Sequence, residues 1–166
     1  MKTPTDAPTR RVRVTVNGTA LTREVECRKH LVDFLREDCG LKGSHLGCEH
    51  GVCGACTVQI DGVAQRACLT LAVQVDGREV RTVEGLAEGD AVLSDLQAAF
   101  KRRHALQCGF CTPGILVAAK ALLERNPDPT DTEIRYWLAG NLCRCTGYDK
   151  IIRAVQDAAA ELRGAA

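Results

Sequence analysis

Aromatic side chains are scarce in this 166-residue chain: one Trp, two Tyr and three Phe, 4% together. A core with so few large rings commonly needs an added staple. The chain also lacks a dominant charge. Its 22 basic and 21 acidic residues leave a net charge of +1, which argues against a nucleic-acid or anionic-membrane surface. The one basic cluster, Lys101-Arg102-Arg103-His104, reads as the solvated end of a helix, where cations suit the dipole. No apolar run approaches a membrane span, and no N-terminal segment resembles an export signal. A cytoplasmic location is therefore expected, and there ten cysteines point to metal rather than to disulfides.

The cysteines that are present fall in two sets. The first lies in Gly47-Cys48-Glu49-His50-Gly51-Val52-Cys53-Gly54-Ala55-Cys56-Thr57 and ends at Cys68, with eleven residues between it and Cys56. C-x4-C-x2-C with a distant fourth cysteine is the spacing of a plant-type [2Fe–2S] loop. Gly43, Gly47, Gly51 and Gly54 suit a tightly folded loop that aims N–H groups at sulfur. The second set, Cys108-x-x-Cys111 and Cys143-x-Cys145, falls in two turns between expected helices. Four thiolates there could also hold structural zinc, although zinc sites usually repeat C-x2-C. A ferredoxin-type loop upstream favours iron–sulfur.

Taken in order, Met1 to Arg10 reads as a loose tail, and Arg11–Val16 alternates with the period of a strand. Asn17-Gly18 signals a hairpin returning through Leu21–Cys27. Leu31, Phe34 and Leu35 share a helical face, with Gly40 as the stop. Thr57–Ile60, the turn Asp61-Gly62 and a strand toward Cys68 follow. Leu71–Val75, a turn at Asp76-Gly77 and Glu79–Val83 are expected to complete a small mixed sheet of β-grasp type. Beyond Glu84 the pattern becomes helical. Ser94-x-x-Gln97 and Thr130-x-x-Glu133 are capping boxes, Thr112-Pro113 reads as an N-cap with proline at the first helical position, and Asp149–Arg163 forms a last helix. The expected class is α+β: a β-grasp ferredoxin-like domain over 10–84, then a four-helix domain over 92–163, with the boundary near 84–92.

Three motifs now stand together: the Cys48–Thr57 loop, Leu106-Gln107-Cys108-Gly109-Phe110-Cys111-Thr112-Pro113-Gly114, and Gly140-Asn141-Leu142-Cys143-Arg144-Cys145-Thr146-Gly147-Tyr148. In this order they resemble the iron–sulfur subunit of the xanthine oxidase family of molybdenum hydroxylases. The resemblance implies that Cys48, Cys53, Cys56 and Cys68 hold one [2Fe–2S] cluster. It assigns Cys108, Cys111, Cys143 and Cys145 to a second, nearer a molybdopterin in its cytosine dinucleotide form. Gln107 and Cys145 match positions that touch that pterin. The resemblance further implies a molybdopterin-bearing large subunit, an FAD-bearing medium subunit and a dimer of such trimers. The chain would relay electrons from molybdopterin to FAD without a catalytic residue of its own. A diffusible two-cluster ferredoxin is the alternative, but such carriers present an acidic face that is missing here. The His50-Gly51-Val52 residues lean toward the heteroaromatic and aldehyde branches of the family.

The remaining candidates have plainer readings. Cys27 and Cys39 lie outside both sets and read as small, partly buried hydrophobes. His50 is not needed as a Rieske-type ligand because all four cysteines are present; it and His45 read as solvent-edge residues or interface contacts. Tyr136 and Trp137 read as packing residues. Arg144 is open between the cluster, the pterin, packing and the surface.

Overall fold

The computed structural model describes residues 7–87 and 94–164. Strand β1 (Thr9–Val16) pairs antiparallel with β2 (Thr19–Glu26) along its whole length, from Thr9 opposite Glu26 to Val16 opposite Thr19. Asn17 and Gly18 both take positive φ, 49° and 78°, as a two-residue hairpin turn demands. The strand begins two residues earlier than expected, so Thr9 and Arg10 belong to the sheet rather than to a tail. Helix α1 (Leu31–Asp33) runs on as a π-helical turn, Phe34–Asp38, in which the Cys39 N–H donates to the Phe34 carbonyl at 3.1 Å. Leu31, Val32, Phe34 and Leu35 are all buried by it. Gly40 ends the helix at φ +73°, as its position suggested.

β3 (Thr57–Ile60), β4 (Val63–Arg66) and β5 (Glu79–Arg81) complete a mixed five-stranded sheet, ordered β2-β1-β5-β3-β4, with β1 parallel to β5 and the other neighbours antiparallel. The expected strand over Leu71–Val75 does not form. Ala72–Val75 is a 3₁₀ turn, and only Leu71 makes a single bridge, to His30. Ala72 and Val75 are both fully buried. Three residues apart, they share a side in a 3₁₀ turn but would point to opposite faces of a strand. Val83, expected as strand, opens another 3₁₀ turn, Val83–Leu86.

The rest of the described chain is helical: α2 (Asp95–Arg102), α3 (Thr112–Arg125), α4 (Asp131–Leu138) and α5 (Asp149–Gly164). Both capping boxes close as expected. The Gln97 N–H donates to Ser94 Oγ, and the Glu133 N–H donates to Thr130 Oγ1. At α3 the structure differs, since Thr112 is already the first helical residue and Cys111 is the cap residue without a side-chain bond. The Cys111 backbone is helical, at φ −81° and ψ −17°, and its carbonyl accepts the Ile115 N–H, so the helix reaches into the second cysteine set. The basic run is exposed as expected, and Arg103 forks onto Asp157 of α5 at 2.5 and 2.8 Å. Residues 88 to 92 of the expected boundary lie outside the described residues.

Two apolar cores result, one under the sheet around Phe34 and Ile60, one among the helices around Phe100, Ile115 and Ile151. They meet where α3 crosses β3, which is why all four residues of β3 are buried. Gln59, buried in that strand, donates to Glu124 of α3 at 2.8 Å, and Arg81 donates to the same carboxylate at 3.0 Å.

Candidate functional site

The first cysteine loop lies between the π-helical turn and β3. Gly51 and Gly54 are left-handed, at φ +82° and +74°, and Glu49 joins them at +59°. Gly43 and Gly47 are not. They serve close approach instead: a Cβ on Gly47 would meet Phe110 Cε1 at 3.1 Å and Cys53 Sγ at 3.2 Å. The loop so folded turns the Cys53 N–H onto Cys48 Sγ at 3.4 Å, and the His50 and Val52 N–H groups also face that sulfur. These donors, Cys53 first, pull the Cys48 thiol down to about 6. Its near neighbour is Cys53; Cys56 lies instead against Cys68, both 2% exposed. Burial, followed by the neighbouring Cys68 thiol, pushes Cys56 up to about 11.

The second set is paired across its two turns. Cys108 and Cys145 stand 3.5 Å apart, sulfur to sulfur, and both are exposed. Cys111 lies against Cys143, and burial, then that contact, pushes Cys111 up to about 12. For Cys143 burial works upward, but the Thr146 hydroxyl and N–H, the Cys145 N–H and the Cys111 contact together outweigh it and hold the thiol below its ordinary value. Gln107 Nε2 donates to the Cys145 carbonyl at 3.1 Å, so the two residues singled out beside each other do meet.

All eight singled-out cysteines therefore come together, and they do so in twos. Each pair also feels a sulfur of the other pair in its set: Cys56 feels Cys53, and Cys111 feels Cys108. A [2Fe–2S] cluster spreads its four cysteines over two irons, and the paired donor set fits that group. Cys56 and Cys111, held neutral by burial, must lose their protons when metal binds.

Backbone and side chains tie the two sets together. The Leu142 N–H, adjoining Cys143, donates to the Cys53 carbonyl at 2.8 Å. Asn141, 2% exposed, donates through Nδ2 to the Gly54 carbonyl at 3.0 Å and to Thr57 Oγ1 at 3.1 Å. Arg66 donates from one nitrogen to Thr57 Oγ1 and from another to the Gly140 carbonyl, both at 2.7 Å. Sequence reasoning missed Arg66 and Asn141. Asn141 stands in a quoted motif, but Arg66 has no local signal because its partners lie up to 75 residues away.

His45 is half-buried at the surface, where its Nδ1–H donates to the Phe110 carbonyl at 2.8 Å and its ring stacks on the exposed Phe110. His50 is exposed, against the Cys48 carbonyl, and Arg144 is exposed. Trp137 packs as expected and donates to the Ala118 carbonyl at 2.7 Å, whereas Tyr136 is 81% exposed and is no packing residue. Cys27 and Cys39 are half-buried, Cys39 against the core under the sheet.

Comparison with known proteins follows this geometry. A family model described as "2Fe-2S iron-sulfur cluster binding domain" matches residues 43–105, and one described as "[2Fe-2S] binding domain" matches residues 82–156. The nicotine 6-hydroxylase small subunit of Paenarthrobacter nicotinovorans is 56% identical, over 98% of this chain and 97% of that one. The caffeine dehydrogenase subunit gamma of Pseudomonas sp. (strain CBB1) is 53% identical, over 87% and 88%. In the crystal structure of quinoline 2-oxidoreductase from Pseudomonas putida 86, one chain superposes with a TM-score of 0.90 at 51% identity, over 94% of this chain and 97% of that one. Two cluster-domain matches and near end-to-end likeness to such small subunits lead to one assignment: the chain belongs to the iron–sulfur small subunits of the xanthine oxidase family of molybdenum hydroxylases.

Proposed function

We propose that Cys48, Cys53, Cys56 and Cys68 hold one [2Fe–2S] cluster, that Cys108, Cys111, Cys143 and Cys145 hold a second, and that through them the chain relays electrons from molybdopterin to FAD. Bound, such clusters supply one-electron storage at potentials set by charge, burial and hydrogen bonds to sulfur. The chain makes and breaks no substrate bond. It is the electron-transfer subunit of an oxidoreductase complex, and its work is positional. The Gly51–Gly54 backbone aims N–H groups at Cys48 Sγ, where they favour added negative charge. The Cys53–Leu142 hydrogen bond and the Arg66–Asn141 clamp hold the two sets in register. The observation that carries the reading is the arrangement of eight thiols as four close pairs.

The finer architecture we propose is a β-grasp ferredoxin-like domain over 10–84 and a four-helix domain over 92–163. Gln107 and Cys145 are proposed to meet the pterin of a large subunit, with an FAD-bearing medium subunit beyond the first cluster and a dimer of trimers overall. Leu106, Phe110 and Leu142, each at least 40% exposed around the second set, support cover by a partner there. They count against a free carrier. Among the described residues no helix is long and apolar enough to cross a membrane, and a cytoplasmic location is proposed. Relatives named for nicotine, caffeine and quinoline support a nitrogen heterocycle as substrate of the assembled enzyme.

Iron and acid-labile sulfide analysis of the purified complex tests the ligand assignment. About four irons and about four sulfides per chain are expected, with two distinct reduced [2Fe–2S] signals in paramagnetic resonance. Stoichiometric zinc, or about two irons in fully loaded protein, would sink it.

A further inference from the structure

The turn between Cys143 and α5 makes a hydrogen-bond arrangement that ligand spacing alone does not require. Thr146 Oγ1 lies 3.1 Å from Cys143 Sγ. The same oxygen accepts the Tyr148 N–H at 3.2 Å. That contact uses one of the two acceptor positions of the hydroxyl and leaves its single hydrogen free for sulfur. A metal-bound thiolate has no hydrogen of its own, so once iron is present the bond can run only from Thr146 to Cys143.

The surroundings hold this geometry in place. Gly147 and Tyr148 are consecutive left-handed residues, at φ +65° and +68°. For Tyr148 that conformation is unfavourable and persists only where the surroundings over-determine it. Here they do. Tyr148 Oη accepts the Cys143 N–H at 2.6 Å and donates to the Asn141 carbonyl at 3.1 Å. The Tyr148 carbonyl accepts the Ile152 N–H in the first turn of α5. The phenol also occupies the Cys143 amide; the Thr146 hydroxyl faces this sulfur together with the Thr146 and Cys145 N–H groups, and the Cys111 thiol that also faces it has no hydrogen left to donate once it binds metal.

From this we infer that Thr146 is a potential-setting residue for the cluster of the second cysteine set: its hydroxyl hydrogen bond to Cys143 Sγ stabilises the reduced form. The inference rests on Cys143 being a cluster ligand. On reduction one ferric iron becomes ferrous. The electron arrives from the molybdenum-bearing subunit and leaves toward flavin, no bond is made or broken, and the Thr146 proton stays on oxygen. The reduced cluster carries one more negative charge, part of it on sulfur. A donor aimed at that sulfur therefore binds the reduced form more tightly, and the midpoint potential rises. The partly buried setting strengthens the effect, because the low local dielectric leaves the hydrogen bond little screened.

The test is a redox titration of the assembled complex, read by paramagnetic resonance, which follows the two clusters separately. Thr146→Val keeps the shape and removes the donor. It is expected to lower the reduction equilibrium of the second-set cluster about tenfold, a shift of about 59 mV to more negative potential for one electron. The first-set cluster should not move, and Thr146→Ser should restore the original value. An unmoved second-set potential in Thr146→Val, an equal shift of both clusters, or a Ser variant that behaves like Val overturns the proposal. If Thr146→Val does not load iron, the unaltered complex in deuterium oxide is the second measurement. A shift in the iron–thiolate vibrational bands of the second-set cluster is expected, and bands unchanged by exchange overturn the proposal. Cys143→Ala separates the two levels of the argument. If it retains that cluster the ligand assignment fails; if it loses the cluster while Thr146→Val keeps its potential, only the role of Thr146 fails.

Discussion

Replacing Gly114 by Ala sets local preference against tertiary contact, and the structure decides the sign. Gly114 is in the first turn of α3, where alanine is the better helix former by up to about 1 kcal/mol. On propensity alone the change should stabilise. A Cβ built on Gly114, however, would sit far inside van der Waals contact with the Gly54 carbonyl oxygen, 3.0 Å from the Ala55 oxygen and 3.1 Å from the Ala55 carbonyl carbon. All three are backbone atoms. The Gly54 carbonyl is further pinned by the Thr57 hydroxyl at 2.6 Å and by Asn141 Nδ2 at 3.0 Å. It cannot step aside as a flexible side chain would. Forcing a methyl group into such a place costs about 1–3 kcal/mol. Taking the upper end, because the obstacle is pinned backbone, leaves a net destabilisation of about 2 kcal/mol. For a chain of this size that lowers the midpoint of thermal unfolding by about 4–8 °C. Gly54 lies between Cys53 and Cys56, so the displaced backbone should also loosen the first cluster. The assay is thermal bleaching of the visible iron–sulfur absorption in the assembled complex, with paramagnetic resonance before and after. Gly164→Ala is the control, since nothing lies within 4 Å of a Cβ there and only propensity acts. A Gly114→Ala complex that bleaches at the same or a higher temperature, with both clusters intact, would refute the argument.

Cys27→Ser and Cys39→Ser should leave iron and sulfide content unchanged and cost no more than about 1 kcal/mol each, whereas Cys53→Ser should disrupt the first-set cluster; metal analysis of the three complexes checks this. Gln107→Ala removes the donor to the Cys145 carbonyl and, in the proposed orientation, a contact to the pterin. It should slow reduction of the clusters by substrate, or weaken retention of the pterin, while flavin reoxidation and cluster content stay unchanged. Rapid-mixing kinetics of the two half-reactions separate these outcomes, and an effect confined to reoxidation would reverse the proposed orientation.

What the sequence by itself determined is what a few neighbouring residues decide. The Asn17-Gly18 hairpin, the capping boxes at Ser94 and Thr130, the Gly40 stop and the two cysteine spacings rest on interactions spanning a handful of positions, so each is legible in a short window. The family followed from three motifs in order. Other features waited for the tertiary structure. Leu71–Val75 is apolar enough for a strand, but packing against the core turned it into a 3₁₀ turn that buries Ala72 and Val75 together. Spacing does not say that Cys108 stands beside Cys145 and Cys111 beside Cys143, because those pairings depend on how α3 and the turn before α5 are brought together. Arg66 carries no sign of its role in its own neighbourhood. Its partners, Gly140 and Asn141, are 74 and 75 residues away, and only the crossing of α3 over β3 brings the two cysteine sets within reach of its guanidinium.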